Sequence, residues 1–191
     1  MVTVGLATIT GNTGGEIRHP EIVSAQETPS TVGAVGAALV ASVHPIMTAA
    51  NWRWATGETL HFIGMALLFG VVLLVNLRML GIAKNVSFAA LHRLLPWGFL
   101  GLAINLITGM LFFIAVPSQY TQNFAFQLKI LLVVLAGVNA LYFTVFDEPW
   151  AVGPGDDAPL TAKVIAASTI GMWSGVMIFG RLLPYLGLAG G

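Results

Sequence analysis

Apolar runs long enough to cross a bilayer constrain this chain more than any other feature. A hydrocarbon core about 30 Å thick needs about 20 residues of α-helix, and four segments reach that length. Polar or proline-containing turns separate them, and Pro184 is expected to stop the last. The sequence therefore predicts four transmembrane helices, at about Gly57 to Ile82, Leu94 to Val116, Phe124 to Phe146 and Leu160 to Leu183.

Composition supports a membrane location. Of the 191 residues, 57% are hydrophobic and only 8% are charged, against roughly 25% charged in a typical soluble domain. A water-soluble fold needs more charge on its exterior than this chain can supply. We therefore predict an all-α integral membrane protein, a four-transmembrane-helix bundle. The lack of cysteine excludes thiol catalysis, iron–sulfur clusters and covalent haem attachment, and the zero net charge gives no reason to expect nucleic acid as a partner.

The first 50 residues differ from the rest of the chain. Residues 1–30 form a polar N-terminal extension without the basic and apolar regions of a signal peptide, so we expect an internal apolar segment to direct insertion. Residues 31–50 are rich in Ala, Gly and Val and broken by His44-Pro45, which predicts either an interfacial helix or a fifth span. Trp52-Arg53-Trp54 is typical of an interfacial aromatic belt. We expect residues 51–191 to form the four-helix bundle.

The distribution of Lys and Arg predicts an orientation. Arg78, Lys84 and Arg93 surround the connection between the first two spans, and Lys163 lies at the end of the connection before the fourth. The opposite side carries Arg53, Lys129 and Arg181. By the positive-inside rule the Arg78–Arg93 loop is expected on the cytoplasmic side of the membrane.

Glu58 and His61 begin the first span and are the main candidates for chemistry. They lie three residues apart on one helix face, where the carboxylate could orient the imidazole. His61 would then be a haem, metal or chlorophyll ligand, or a proton-relay group; alternatively it is an interfacial histidine bonded to a loop carbonyl or to Glu58. Di-iron bundles need two Glu-x-x-His copies, and this chain has one, which excludes that site.

A haem b held by two histidines needs a second imidazole near His61. His92 lies at the opposite end of the predicted spans, about 30 Å away, and is excluded. His44 is the better partner, since either placement of residues 31–50 brings it near the same membrane surface. The sequence therefore predicts His44 and His61 as cofactor ligands, with the Glu58 carboxylate hydrogen-bonded to the His61 imidazole and orienting it. The identity of a bound metal stays unknown.

Other residues in the spans suit helix packing. Asn105 and Asn139 lie near mid-depth, where side-chain amides hydrogen-bond between helices. Gly171 and Gly175 form a G-x-x-x-G pattern that lets another helix backbone approach, within the bundle or from a neighbouring subunit. The leucine-rich faces would contact lipid, and they suit chlorophyll or carotenoid tails equally well.

Four stretches carry a family resemblance: ETLHFIGMALLFGVVLLVNLRMLG, LLPWGFLGLAINLITGMLFF, FQLKILLVVLAGVNAL and AKVIAASTIGMWSGVMIFGRLLPY. Together they resemble an uncharacterised bacterial family of four-helix integral membrane proteins, a domain of unknown function, over about Trp52 to Tyr185. The layout is loosely similar to copper-resistance D-type and cytochrome b561-like bundles. His61, Arg78 and Gly180-Arg181 match residues of the family, whereas Asn76 stands where the family often has an acid. This departure weakens a proton or metal role at that position.

Three hypotheses about function follow. The first is a non-enzymatic accessory subunit of a larger membrane complex, plausibly redox or photosynthetic, whose N-terminal extension clasps a partner. The second is a b-type haem electron carrier that uses His61 with His44. The third and weakest is a small-solute or ion transporter. Expected partners are membrane lipids, a larger complex or a second copy of the chain.

Overall fold

The computed structural model describes residues 33–145, 153 and 155–186, and within these residues all regular structure is helical. The N-terminal extension, residues 1–30, lies outside the described part. The helices are α1 (Ala34–Thr48), α2 (Asn51–Met79), α3 (Phe88–His92), α4 (Leu95–Ala115), α5 (Pro117–Thr121), α6 (Phe124–Val145) and α7 (Leu160–Leu186).

Four helical segments are long and apolar enough to cross a membrane. They are Trp52–Met79, Phe88–Ala115, Phe124–Leu141 and Leu160–Leu186. The chain is therefore an all-α integral membrane protein, as the sequence predicted. The described part of α1 has 15 residues and is about 22 Å long, less than a bilayer core, so whether it spans stays a prediction.

Three predicted boundaries were wrong. The first span was expected to begin at Gly57, but α2 already begins at Asn51 and includes Trp52-Arg53-Trp54. Pro45 was expected to break α1 and Pro184 to stop α7, yet both lie inside their helices. A proline near a helix C-terminus removes only one backbone hydrogen bond from the last turns, and the remaining bonds continue the helix to its end.

The chain divides into two compact units. Unit 1 has Ile104–Asn123 and the described residues up to Ile63, and unit 2 has Gly64–Ala103 and the described residues from Phe124 onward. The apolar core of unit 1 consists of Met47, Trp54, Phe112, Ala115 and Val116. The core of unit 2 consists of Val75, Met79, Phe88, Leu91, Ala158, Ala162 and Ala166.

Within unit 2, glycine permits close helix packing at two positions. A Cβ on Gly101 of α4 would lie 2.6 Å from both Gly64 O and Leu68 N, which are backbone atoms of α2. A Cβ on Gly175 of α7 would lie 2.7 Å from Leu132 Cδ1 of α6. Small residues at such contacts are how membrane helices pack closely without a hydrophobic driving force.

Arg78, at the end of α2, hydrogen-bonds to two interhelical connections of unit 2, the one before α3 and the one before α7. Its side chain is fully buried, at 0% exposure. The guanidinium donates to Val86 O at 2.9 Å, Gly153 O at 2.7 Å and Asp156 O at 3.3 Å, and lies 4.8 Å from the centre of the Phe88 ring. The charge is therefore solvated by backbone carbonyl groups and an aromatic face instead of water.

Candidate functional site

His61 lies in unit 1, where α2 packs against α4, and its proton assignment follows from its hydrogen bonds. His61 Nδ1 lies 2.7 Å from Thr108 Oγ1, and the same hydroxyl lies 2.7 Å from Ile104 O. A hydroxyl has one proton, and the Ile104 carbonyl can only accept it. Both short contacts are satisfied only if Thr108 donates to Ile104 and His61 Nδ1–H donates to Thr108. In the neutral imidazole, Nε2 is therefore the unprotonated, basic nitrogen.

His44, on α1, has the same tautomer for a simpler reason. Its Nδ1 lies 2.8 Å from Ala115 O, at the C-terminus of α4. A backbone carbonyl only accepts, so Nδ1 carries the proton and Nε2 is again the basic nitrogen. The bond satisfies one of the carbonyl groups that the end of a helix leaves without an intrahelical partner.

An Nδ1–H held by a helix acceptor is the arrangement that fixes ring orientation in metal-bound histidines. The two histidines are held apart, however, on the same face of α4. Thr108 and Ala115 are seven residues, or about 10.5 Å, apart along the helix. Ligation of one iron would require the two Nε2 atoms to lie within about 4 Å, two metal–nitrogen bonds of about 2 Å.

Phe112 occupies the intervening turn of α4. Its side chain is 8% exposed, and its ring centre lies 4.9 Å from that of Trp54 and 5.9 Å from that of His61. A Cβ on Gly57 would lie 3.1 Å from two atoms of the ring, so the glycine makes room for it. The Phe112 ring therefore lies beside His61, and ligation of one haem by His44 and His61 together stays a prediction.

Glu58 has a partner that the sequence did not indicate. Glu58 Oε1 accepts from Trp54 Nε1 at 3.2 Å, and His61 Nδ1 contacts Thr108. Orientation of His61 by the Glu58 carboxylate stays a prediction. Trp54 was expected in an aromatic belt; it is buried, whereas Trp52 is 58% exposed and suits such a belt.

Tyr120, on the short helix α5, is a second group that sequence reasoning missed. Burial raises the pKa of its phenol well above the ordinary value, and the negative charge of Glu58 raises it further. We call Trp54, Glu58, His61, Thr108 and Tyr120 the Glu58 cluster. It combines a carboxylate, an imidazole and a protonated phenol, which are groups able to hold or pass a proton or to support a ligand. In the described part of the chain no three His, Asp or Glu side chains approach closely enough to hold a metal ion.

The residues predicted for helix packing lie on α4, α6 and α7. Asn105 is half-buried on α4. Asn139 of α6 donates through Nδ2 to Ser168 Oγ at 2.8 Å and lies 3.2 Å from Thr169 Oγ1, both on α7. Gly175 faces Leu132 of α6, whereas a Cβ on Gly171 would meet no atom within 4 Å. The two glycines of the pattern therefore face different surroundings.

Fold and site together define an all-α integral membrane protein with four helices able to span the bilayer and a polar histidine-containing cluster in unit 1. Residues 47–186 match the Family of unknown function (DUF6644), and the chain belongs to this family. The family assignment agrees with the resemblance predicted over Trp52 to Tyr185. No curated protein and no solved structure matches the chain.

Proposed function

We propose that this protein is a non-enzymatic accessory subunit of a larger membrane complex, plausibly a redox or photosynthetic one. The observation that carries the proposal is the outer face of the α6–α7 pair. Gly175 is used inside the chain against Leu132, but Gly171, one turn earlier, is exposed and has open space above it. Ala167 is exposed one further turn back and extends this small-residue surface. A backbone that is accessible in this way suits a helix of another chain.

The amide of Asn139 supports the same face. Ser168 and Thr169 both donate their hydroxyl protons to Ile165 O, so each can only accept from Asn139. This fixes the amide with Nδ2 toward α7 and Oδ1 turned away from it. Inside a membrane a polar oxygen that faces lipid is costly, and in this proposal a partner helix packed on α6 and α7 supplies a donor to it.

The test replaces Gly171 by leucine and uses Gly137→Leu on α6 as the matched control. Both glycines are exposed, and a Cβ on either meets no atom of the chain within 4 Å, so neither change disturbs internal packing. We expect the tagged wild-type chain, extracted gently from its native membrane, to co-purify stoichiometrically with partner subunits. Gly171→Leu should lower that recovery about tenfold, a loss of about 1.4 kcal/mol, and Gly137→Leu should not. A wild-type chain that runs as a lone monomer would contradict the proposal.

The polar residues 1–30 and the membrane orientation complete this proposal. The extension lies outside the described residues, and we assign it the role of clasping the partner. We propose that the Arg78–Arg93 loop lies on the cytoplasmic side of a bacterial inner membrane, because that end of the spans has four basic residues and the other end three. Accessibility labelling of a cysteine introduced at Asn85 in intact cells tests the orientation, since the chain has no cysteine of its own.

The second candidate function is a membrane cofactor carrier. It is favoured by the fixed Nδ1–H tautomers of His44 and His61, which make each Nε2 the nitrogen able to bind a haem iron or a chlorophyll magnesium. Such a group would supply one-electron or light-driven chemistry when bound. In this candidate function His61 or His44 would act as an axial ligand, and a single haem held by both histidines stays a prediction. Carotenoid binding and transport of a small solute or ion stay predictions.

An absorption spectrum from about 350 to 850 nm distinguishes these functions in the same preparation. A Soret or chlorophyll band that follows this chain and disappears in His61→Ala, but persists in His92→Ala, would favour the carrier. A colourless chain that co-purifies with a larger complex would favour the accessory subunit.

A further inference from the structure

Lys129 is a charged residue within a spanning helix that no motif of the sequence explains. It lies five residues after the start of α6, about 7.5 Å along the helix, inside the span Phe124–Leu141. A cation at this depth is costly unless it reaches the interface or is neutralised. In the described part of the chain the lysines in ion pairs are Lys84 and Lys163, both with Asp157, and no acid contacts Lys129.

The position of the ammonium group follows from the antiparallel packing of α6 and α7. Leu132 faces Gly175 and Asn139 faces Ser168, a register that places Lys129 level with Ile178. A Cβ on Gly180 would lie 3.6 Å from Lys129 Nζ, 3.8 Å from Cε and 3.9 Å from Cδ. The stem of the side chain therefore runs along the backbone of α7 at Gly180. It carries the ammonium about 3 Å further toward the membrane surface at which α7 ends.

A second cation lies at the same level. Arg181 directly follows Gly180 and is exposed, and the ion pairs among the described residues are those of Asp157 with Lys84 and Lys163. Two positive side chains on neighbouring helices, within two turns of the end of α7, thus lack counter-charges from this part of the chain. A guanidinium and an ammonium together suit a phosphate group, whose several oxygens can accept from both.

We infer that Lys129 and Arg181 bind a phosphate-bearing anion at this end of α6 and α7, and that its source is the headgroup of an anionic phospholipid. Gly180 provides the space along which the lysine reaches the headgroup. The depth favours a lipid, because its acyl chains would lie along the exposed apolar faces of the two helices while its phosphate meets the cations.

The experiment measures how fast Lys129 is reductively methylated in the wild-type protein in dodecyl maltoside micelles, which contain no phosphate. Phosphatidylglycerol is added in one arm, diacylglycerol with the same acyl chains in a second, and inorganic phosphate in a third. Lys163, which pairs with Asp157, is the internal control. We expect phosphatidylglycerol to slow methylation of Lys129 about fivefold, as about 1 kcal/mol per cation near an anionic surface implies, with diacylglycerol and inorganic phosphate inactive and Lys163 unchanged.

Arg181→Gln should lose most of this protection, and because Arg181 is exposed the variant is expected to fold. Protection by inorganic phosphate as strong as that by phosphatidylglycerol would retain the anion site and overturn the lipid source. Equal methylation rates in all arms would overturn the site itself. Protection that appears only in a native complex, and not with phosphatidylglycerol or inorganic phosphate, would also overturn the phosphate site. It would indicate that Lys129 and Arg181 pair with an acidic side chain of a partner protein.

Discussion

Replacing Arg78 by lysine separates the charge of this residue from its shape. The guanidinium donates hydrogen bonds to Val86 O, Gly153 O and Asp156 O, and it lies over the ring of Phe88. An ammonium keeps the charge, but it has no Nε donor and no flat surface to lie on the ring. Arg78→Lys therefore tests whether planar geometry, and not charge alone, holds the two connections to α2.

The magnitude follows from what each variant loses. Hydrogen bonds from a charged group contribute about 1.5–3 kcal/mol each, and a cation over an aromatic ring contributes about 0.5–1 kcal/mol more. Loss of one bond and of the stacking predicts a free energy of unfolding lower by about 2–4 kcal/mol for Arg78→Lys. Arg78→Met removes the charge together with the cost of burying it, but it leaves three carbonyl groups without their donor, at about 1–3 kcal/mol each. We therefore expect it to be less stable than Arg78→Lys.

The assay is unfolding of the purified protein from mixed micelles by SDS titration, together with cleavage by Asp-N protease at Asp156, in a connection that Arg78 holds. Arg93→Lys is the matched control, since Arg93 is exposed, and it should change stability by less than about 0.5 kcal/mol. We expect cleavage at Asp156 to accelerate in the order wild type, Lys, Met. If Arg78→Met proves as stable as wild type, the cost of burying the charge cancels its hydrogen bonds and the reasoning fails.

Three further predictions use other contacts. Gly101→Ala should destabilise the protein by about 1–3 kcal/mol, because the new Cβ meets backbone atoms of α2. Gly70→Ala is the control and should not destabilise it, since a Cβ there meets no atom within 4 Å. Equal effects of the two changes would contradict the close approach of α4 and α2. The hydrogen bonds from Lys163 and then Lys84 lower the pKa of Asp157. The contribution of Asp157 to the stability of its loop is therefore present above about pH 4 and is lost as the pH falls through the lowered pKa. Asp157→Asn should remove this pH dependence, which protease cleavage of the loop measures. Thr108→Val should cost about 1–3 kcal/mol and allow the Nε2–H tautomer of His61, which ¹⁵N NMR of the imidazole detects; an unchanged tautomer would contradict the proton assignment.

The two candidate histidines show how far sequence reasoning reached. Glu58 and His61 were found because polar residues at the start of an apolar run are unusual, and that signal is local. Thr108, which holds His61, is 47 residues away in sequence, and one threonine among several in the spans carries no sign of its partner. Trp54 was assigned to the interface because tryptophan is common there, but packing against Phe112 turned it inward.

The class of this protein, the number of helices able to span and, within a few residues, most of their ends follow from the order of the amino acids alone. Membrane insertion depends on summed hydropathy over about 20 consecutive residues, a quantity that needs no knowledge of neighbouring helices. The tertiary structure decided which faces meet: the proton assignments of His44 and His61, the carbonyl groups around Arg78, and the course of Lys129 along Gly180. In a membrane all helices are apolar, so small differences in side-chain packing and hydrogen bonding select the pairing, and these are properties of two surfaces together.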